Sequence, residues 1–296
     1  MARFLLALAL WCTFMWGCTW VSDEGEQETP LCVTVLDVGQ GLAVLLEYDG
    51  RYGLYDSGPD SAGVGDSLRA RGVEELEWVV LSHNHRDHVG GFVEFADGRL
   101  KDGVSGADFE KSPVRIKRLF VGPDTAGGLW RDSVLYVAHK RGIPVDTLVR
   151  GDVVQLGSAE MPDIRVLWPP DYETVDGNHG SIVLQVSWGA GSALLTGDLD
   201  SLGEREILEL SPTLSTKLLQ VGHHGSAGSS GLAFLAQVMP EYAVVSVGAG
   251  NRYGHPAESV VQKLGYVLGD SLRFFRTDRD GSVGFELWQG LGVISP

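Results

Sequence analysis

The stretch Leu81-Ser82-His83-Asn84-His85-Arg86-Asp87-His88-Val89-Gly90-Gly91 sets three imidazoles and one carboxylate within six positions. It lies directly after the apolar run Trp78-Val79-Val80-Leu81 and just before a predicted helix. Residues at i and i+2 of an extended segment point the same way, so His83 and His85 are expected to grip one ion together. The turn that follows aims Asp87 and His88 at a neighbouring point. Gly90 and Gly91 are expected to let the backbone leave the site tightly, where other residues would strain. Imidazole with carboxylate suits zinc, manganese or iron, and the lack of cysteine in the cluster argues against a purely structural zinc knot. A lone His-x-His reads as a solvated polar turn. Four ligand-type residues between strand and helix read as a metal site.

The rest of the chain reads as two similar halves. Residues 31–38, 42–48 and 52–55 are β-rich runs, broken by Gly39-Gln40-Gly41 and by the hairpin signal Asp49-Gly50. A helix is expected over 67–76, then the strand 78–81. A glycine-rich loop over 97–106 reads as a substrate-side insertion. Strands are expected at 115–121, 153–156, 164–167, 181–186, 193–195, 217–221, 242–247, 273–275 and 284–288. Helices are expected at 129–141, 202–210, 232–238 and 257–268. Strand runs followed by helices, twice over, predict two sheets packed face to face with helices outside.

Further ligand candidates sit where apolar strands end. Leu194-Leu195-Thr196-Gly197-Asp198 puts a carboxylate at a sheet edge, where it can bridge two cations; the alternative is a helix N-cap at Asp198 or Ser201. Leu219-Gln220-Val221-Gly222-His223-His224-Gly225-Ser226 repeats the design. One of its histidines is expected to ligate, with His224 favoured, and the other to touch a substrate oxyanion. His179 is expected to complete the first ion's shell, or else to be a plain loop histidine. Asn251, Tyr253 and His255 end another strand and are read as orienting substrate or protonating a leaving group, against a tight turn with Pro256 opening the next helix. Asp56 is expected to accept a ring N–H from a ligating histidine.

His83-Asn84-His85-Arg86-Asp87-His88 resembles the His-x-His-x-Asp-His signature of the metallo-β-lactamase fold superfamily, and Gly197-Asp198 resembles its bridging-aspartate motif. More narrowly, Leu36-Asp37-Val38-Gly39-Gln40-Gly41, Asp56-Ser57-Gly58, Thr196-Gly197-Asp198, His223-His224-Gly225-Ser226 and Tyr253-Gly254-His255-Pro256 resemble the hydrolase domain of the ComEC competence family. The chain departs from that family at Leu42 and at His85, where aspartate is usual. The resemblance implies an α/β (α+β) fold, a four-layer αββα sandwich with two divalent cations, zinc or manganese, at one edge. It implies His83, His85 and His179 on one ion, Asp87, His88 and His224 on the other, and Asp198 shared. Asp87, His223 and His255 are the candidate catalytic residues, and Ser226, Asn251 and Tyr253 the candidate substrate contacts. The reaction implied is phosphodiester hydrolysis. Lactone, thioester or β-lactam hydrolysis, a silent metal-binding surface module and an iron redox centre are the alternatives.

The formal charge of −16 disfavours sequence-blind nucleic-acid binding through Lys and Arg, leaving nucleic acid as a substrate at a site where metal supplies the positive charge. Residues 1–18 read as an export signal ending in a lipoprotein-like box, with Cys18 a candidate lipid anchor to a membrane. Residues 19–30 read as an acidic tether and 31–296 as the hydrolase domain. Removal of Cys12 and acylation of Cys18 leave Cys32 alone, so no disulfide framework is expected. The protein is expected outside the cytoplasm.

Overall fold

A strand that carries apolar residues on both faces needs cover on both sides, and the central strands here meet that need. The computed structural model describes residues 29–97, 114–123, 128–157, 162–171, 177–211, 214–269 and 273–294. The expected leader, nearly all of the tether, and all of the glycine-rich segment beyond Asp97 lie outside the described residues. In chain order the first half contributes β1 (Leu31–Val35), β2 (Val44–Tyr48), β3 (Arg51–Tyr55), α1 (Val64–Ala70), β4 (Glu75–Leu76), β5 (Trp78–Leu81), α2 (Arg86–Asp97), β6 (Arg115–Ile116), β7 (Leu119–Val121), α3 (Leu129–Arg141) and β8 (Val145–Thr147). The second contributes β9 (Val153–Val154), β10 (Asp163–Trp168), β11 (Val183–Trp188), β12 (Gly191–Leu195), α4 (Ser201–Leu210), β13 (Leu218–Gln220), α5 (Leu232–Val238), β14 (Tyr242–Val245), α6 (Glu258–Leu268) and β15 (Phe274–Arg276). The short α7 (Thr277–Asp280) leads into the hairpin β16 (Val283–Leu287) and β17 (Leu291–Ile294).

Among the described residues one sheet runs β17-β16-β1-β2-β3-β5-β7-β8 and the other β15-β14-β13-β12-β11-β10-β9. Side-chain alternation explains the layering. In β5, Trp78 and Val80 face the second sheet, where they meet Leu184, Val186 and Leu195, while Val79 and Leu81 face Val89, Phe92 and Phe95 of α2. Across the other sheet, Leu194 and Leu219 pack on Ile207 of α4, Leu235 of α5 and Leu264 of α6. This is the expected αββα sandwich. Both sheets change from antiparallel to parallel pairing partway across: β2–β3 is antiparallel and β3–β5 parallel, as β11–β12 is antiparallel and β12–β13 parallel. In open α/β sheets ligands bind outside the carboxyl ends of the strands.

Several boundaries move. The helix expected over 67–76 is α1, which ends before Gly72; at φ 77° that glycine turns the chain, and β4 then pairs with β6. The single strand expected over 115–121 divides into β6 and β7. β8 and β17 were not expected, and β16 crosses back to pair with β1, so the two halves are interlocked. Neither Asp198 nor Ser201 caps α4. Asp200 does, accepting from the N–H groups of Leu202 (3.0 Å) and Gly203 (2.9 Å). Pro256 lies before the N-cap of α6, not in its first turn. Cys32 is not a lone thiol: it is disulfide-bonded.

Gly90 and Gly91 serve a different purpose from the one expected. Both lie inside α2, and what they allow is close approach of that helix to the loop after β3. A Cβ on Gly91 would stand 2.0 Å from the Ser57 carbonyl oxygen, and one on Gly90 2.4 Å from the Asp60 nitrogen. Backbone atoms cannot rotate away, so Gly91→Ala is expected to cost about 3 kcal/mol. A urea unfolding midpoint equal to that of the unmodified protein would refute this reading.

Candidate metal centre

The ligand-type residues stand at the C-terminal ends of strands from both sheets: Asp56 follows β3, His83 follows β5, Asp198 follows β12 and the His223-His224 turn follows β13. Asp56 is wholly buried at φ 58°, a left-handed conformation that aspartate tolerates better than most residues. Its Oδ1 accepts the Ser82 backbone N–H at 2.7 Å, and its Oδ2 accepts the Ser82 hydroxyl at 2.7 Å and faces His88 Nδ1 at 2.7 Å. That hydroxyl has a single proton, already given to Asp56, so its oxygen is left to accept from His83 Nδ1 at 3.0 Å. His224 Nδ1 lies 2.9 Å from the Ser246 carbonyl oxygen, which can only accept. All three imidazoles therefore hold their proton on Nδ1 and turn an Nε2 lone pair inward.

Those lone pairs meet further acceptors. His88 Nε2 is 3.3 Å from His224 Nε2 and 3.1 Å from Asp198 Oδ1. His224 Nε2 is 3.6 Å from the same oxygen and 3.4 Å from Asp87 Oδ2. His83 Nε2 lies 2.9 Å from His85 Nδ1 and 3.9 Å from Asp198 Oδ2. Asp198 is 2% exposed, and its buried Oδ1 makes no hydrogen bond. Two sets emerge, His83-His85-Asp198 and Asp87-His88-His224, each with ligand atoms within 4.8 Å of one another. Asp198 turns one oxygen toward each set. Acceptors buried together without donors are costly, and a cation removes that cost. The donor set, imidazole nitrogen with carboxylate oxygen, fits divalent cations.

Protonation of these rings is the alternative to a cation. Burial opposes ionisation of Asp198, but charges on His88 and His224 outweigh it and hold the carboxyl well below its ordinary range. Burial also opposes charge on His88, yet Asp198 and Asp56 together raise its pKa well above that of a free imidazole. At His83 burial dominates, and the neighbouring His88 adds to it, so the pKa falls well below the ordinary value. A second proton on His88 and a cation compete for one lone pair.

The structure does not bring His179 into either set. Its Nδ1 is 3.1 Å from Asp200 Oδ1 and its Nε2 3.5 Å from Glu206 Oε2, so it pairs with carboxylates on the α4 side. Its neighbour Asn178 stands nearer, with Nδ2 3.2 Å from both ring nitrogens of His223. His223 and His224 both adopt left-handed φ (51° and 53°), which sends their rings apart. His224 turns inward, while half-buried His223 stays at the rim with Nε2 3.8 Å from Asp198 Oδ2. His255 meets His223 edge-on at 5.9 Å, and Tyr253, 56% exposed, stacks on His255 at 5.6 Å. Asn251 uses its whole amide on its own loop: Oδ1 accepts the N–H groups of Tyr253 and His255, and Nδ2 donates to the carbonyls of Gly248 and His255. It shapes the loop that presents Tyr253 and His255. Ser226 Oγ accepts the Gly228 N–H within its turn. Sequence reasoning missed Ser82; its only signal was a small hydroxyl residue between an apolar strand and the first histidine.

Residues 36–249 match the metallo-beta-lactamase superfamily, and the chain belongs to it. The chain is 30% identical over 302 residues to ComE operon protein 3 of Bacillus subtilis (strain 168), covering 95% of this chain and 35% of that protein. It is 34% identical over 271 residues to Competence protein ComA of Neisseria gonorrhoeae, covering 90% of this chain and 34% of that protein. The chain thus spans about a third of the length of these curated relatives. The solved structure of the metallo-beta-lactamase fold protein YhfI from Bacillus subtilis superposes with a TM-score of 0.57 at 13% identity, over 88% of this chain and 100% of that one, a likeness of fold. Among the described residues no helix is long and apolar enough to cross a membrane.

Proposed function

We propose that this member of a hydrolase superfamily cleaves phosphodiesters at a dinuclear metal site outside the cytoplasm. The observation that carries the reading is buried Asp198, lacking a hydrogen bond at Oδ1 and placed between two sets of acceptor atoms. His83, His85 and Asp198 would hold one divalent cation, and Asp87, His88 and His224 the other, with Asp198 shared. A divalent cation held there, zinc or manganese, would supply Lewis acidity and neutralise charge on an attacked phosphoryl group. Asp56, Ser82 and the Ser246 carbonyl keep the imidazole lone pairs aimed inward. His223 and His255, at the rim, are placed to pass a proton to a departing oxygen. Similarity to proteins named for competence favours a phosphodiester over a lactone, thioester or β-lactam. A net charge of −16 means that an anionic substrate is held at the cations rather than by a basic surface. The apolar run of residues 4–11 supports the reading of export.

The test is turnover by protein stripped with a chelator and then reloaded with manganese or zinc. Bis-p-nitrophenyl phosphate is expected to be hydrolysed only after reloading, and faster than lactone, thioester or β-lactam probes. Stoichiometric metal binding without turnover of any probe would instead indicate a silent binding module.

A further inference from the structure

We propose that Gln220 sets the spacing between the Asp198 loop and the His223-His224 turn, and so positions the residues that hold the cation pair; this rests on the dinuclear reading. The parallel ladder between β12 and β13 pairs Ala193 with Leu218 and Leu194 with Leu219, and goes no further. Beyond it the two chains splay to make the ligand loops, which strips Thr196 and Gly197 of ladder partners. The side chain of Gln220, 2% exposed, takes over that work. Its Oε1 accepts the N–H groups of Thr196 at 2.7 Å and Gly197 at 2.9 Å. Its Nε2 donates to the carbonyls of Gly197 at 3.3 Å and Val221 at 2.8 Å. A carboxamide offers two donor hydrogens and two acceptor lone pairs, and here all four are used. Gln220 thus acts as a peptide group laid sideways between strands that have ceased to pair.

Both clamped segments lead directly to ligands. Asp198 follows Gly197, and His223 and His224 follow Val221 and Gly222. The Thr196 hydroxyl donates to the Gln220 backbone carbonyl at 3.0 Å and the His223 N–H to the Gly197 carbonyl at 3.1 Å, closing the bracket. Gly197 has φ 54°, and a Cβ there would stand 2.9 Å from Ser82 Oγ. The clamp therefore also rests against the hydroxyl that aims His83. In the other sheet, the buried Asp56 carboxylate likewise links the end of β3 to the Ser82 N–H just beyond β5.

Gln220→Glu keeps the volume and both acceptor bonds but loses both donors; Gln220→Met loses all four. Chelator-stripped protein is titrated with cobalt(II), following affinity and visible d–d absorption, with circular dichroism and melting of the stripped form in parallel. The expected result is a folded Gln220→Glu protein with cobalt affinity at least about tenfold weaker and an altered d–d band, in the range typical of residues that orient metal ligands. If the glutamate variant does not fold, Gln220→Met decides by the same readouts. Cobalt affinity and spectrum equal to those of the unmodified protein would overturn the proposal, as would a lowered melting temperature with cobalt binding intact. Unmodified protein that binds no cobalt would overturn the dinuclear reading and this inference with it.

Discussion

Asp198→Asn is expected to lower kcat/KM on bis-p-nitrophenyl phosphate by about three orders of magnitude or more, while the protein stays folded. The substitution preserves shape and removes the charge. It also replaces one carboxylate oxygen with an N–H2 group facing lone pairs, either toward His88 and His224 or toward His83. In either orientation one ligand set loses its shared member, and the bound cations are expected to fall from two to one or none. The surrounding imidazoles are anchored through Nδ1 by Asp56, Ser82 and Ser246, so their positions do not depend on Asp198. Metal analysis with steady-state rates checks the result. Unaltered turnover with two cations bound would end the dinuclear account.

Asp56→Asn is expected to weaken cation binding about 10–100-fold without contact between residue 56 and any cation. The left-handed backbone at Asp56 suits asparagine equally well, so strain does not confuse the outcome. With its oxygen kept on the Ser82 N–H, the new amide presents hydrogens where Oδ2 accepted from Ser82 Oγ and His88 Nδ1. His88 must then accept through Nδ1, which moves its proton to Nε2 and turns an N–H toward the cations. The Ser82 hydroxyl, no longer donating to residue 56, becomes free to donate to His83 Nδ1 and reverse that ring as well. One substitution thereby mis-sets two imidazoles. Titration of stripped protein with zinc or manganese measures the loss; equal affinity in the variant would show that Asp56 serves the fold alone.

Much of the site was legible in sequence because its residue types are unusual where they stand. Four ligand-type residues within six positions directly after an apolar strand have few other uses, although Asp87 and His88 fall in the first turn of α2 and not before it, and Gly197-Asp198 and Gly222-His223-His224 repeat strand, glycine, ligand. Asp56 was legible for the same reason, a carboxylate at the end of an apolar strand. His179 misled because loop histidines carry no period: Asn178, one position earlier, faces His223, and His179 turns toward Asp200 and Glu206. Asn251 spends its amide on its own loop, since a polar residue in a site loop is as well suited to holding the loop as to holding a ligand. Short strands such as β4, β6 and β8 were missed or merged because two or three residues give no alternation to read.

The sequence alone determined the layering, since strand runs followed by helices, twice over, pack as two sheets face to face with helices outside, and it determined which residue types end those strands. Only the tertiary structure decided which of them meet. Asp198 and His224 lie far along the chain from the His83–His88 cluster, and their approach depends on how two sheets stack and where their strands splay. The tertiary structure also decided where each ring proton sits, because a tautomer is set by whatever touches the other nitrogen, here a serine hydroxyl, an aspartate and a backbone carbonyl brought in from three different strand ends.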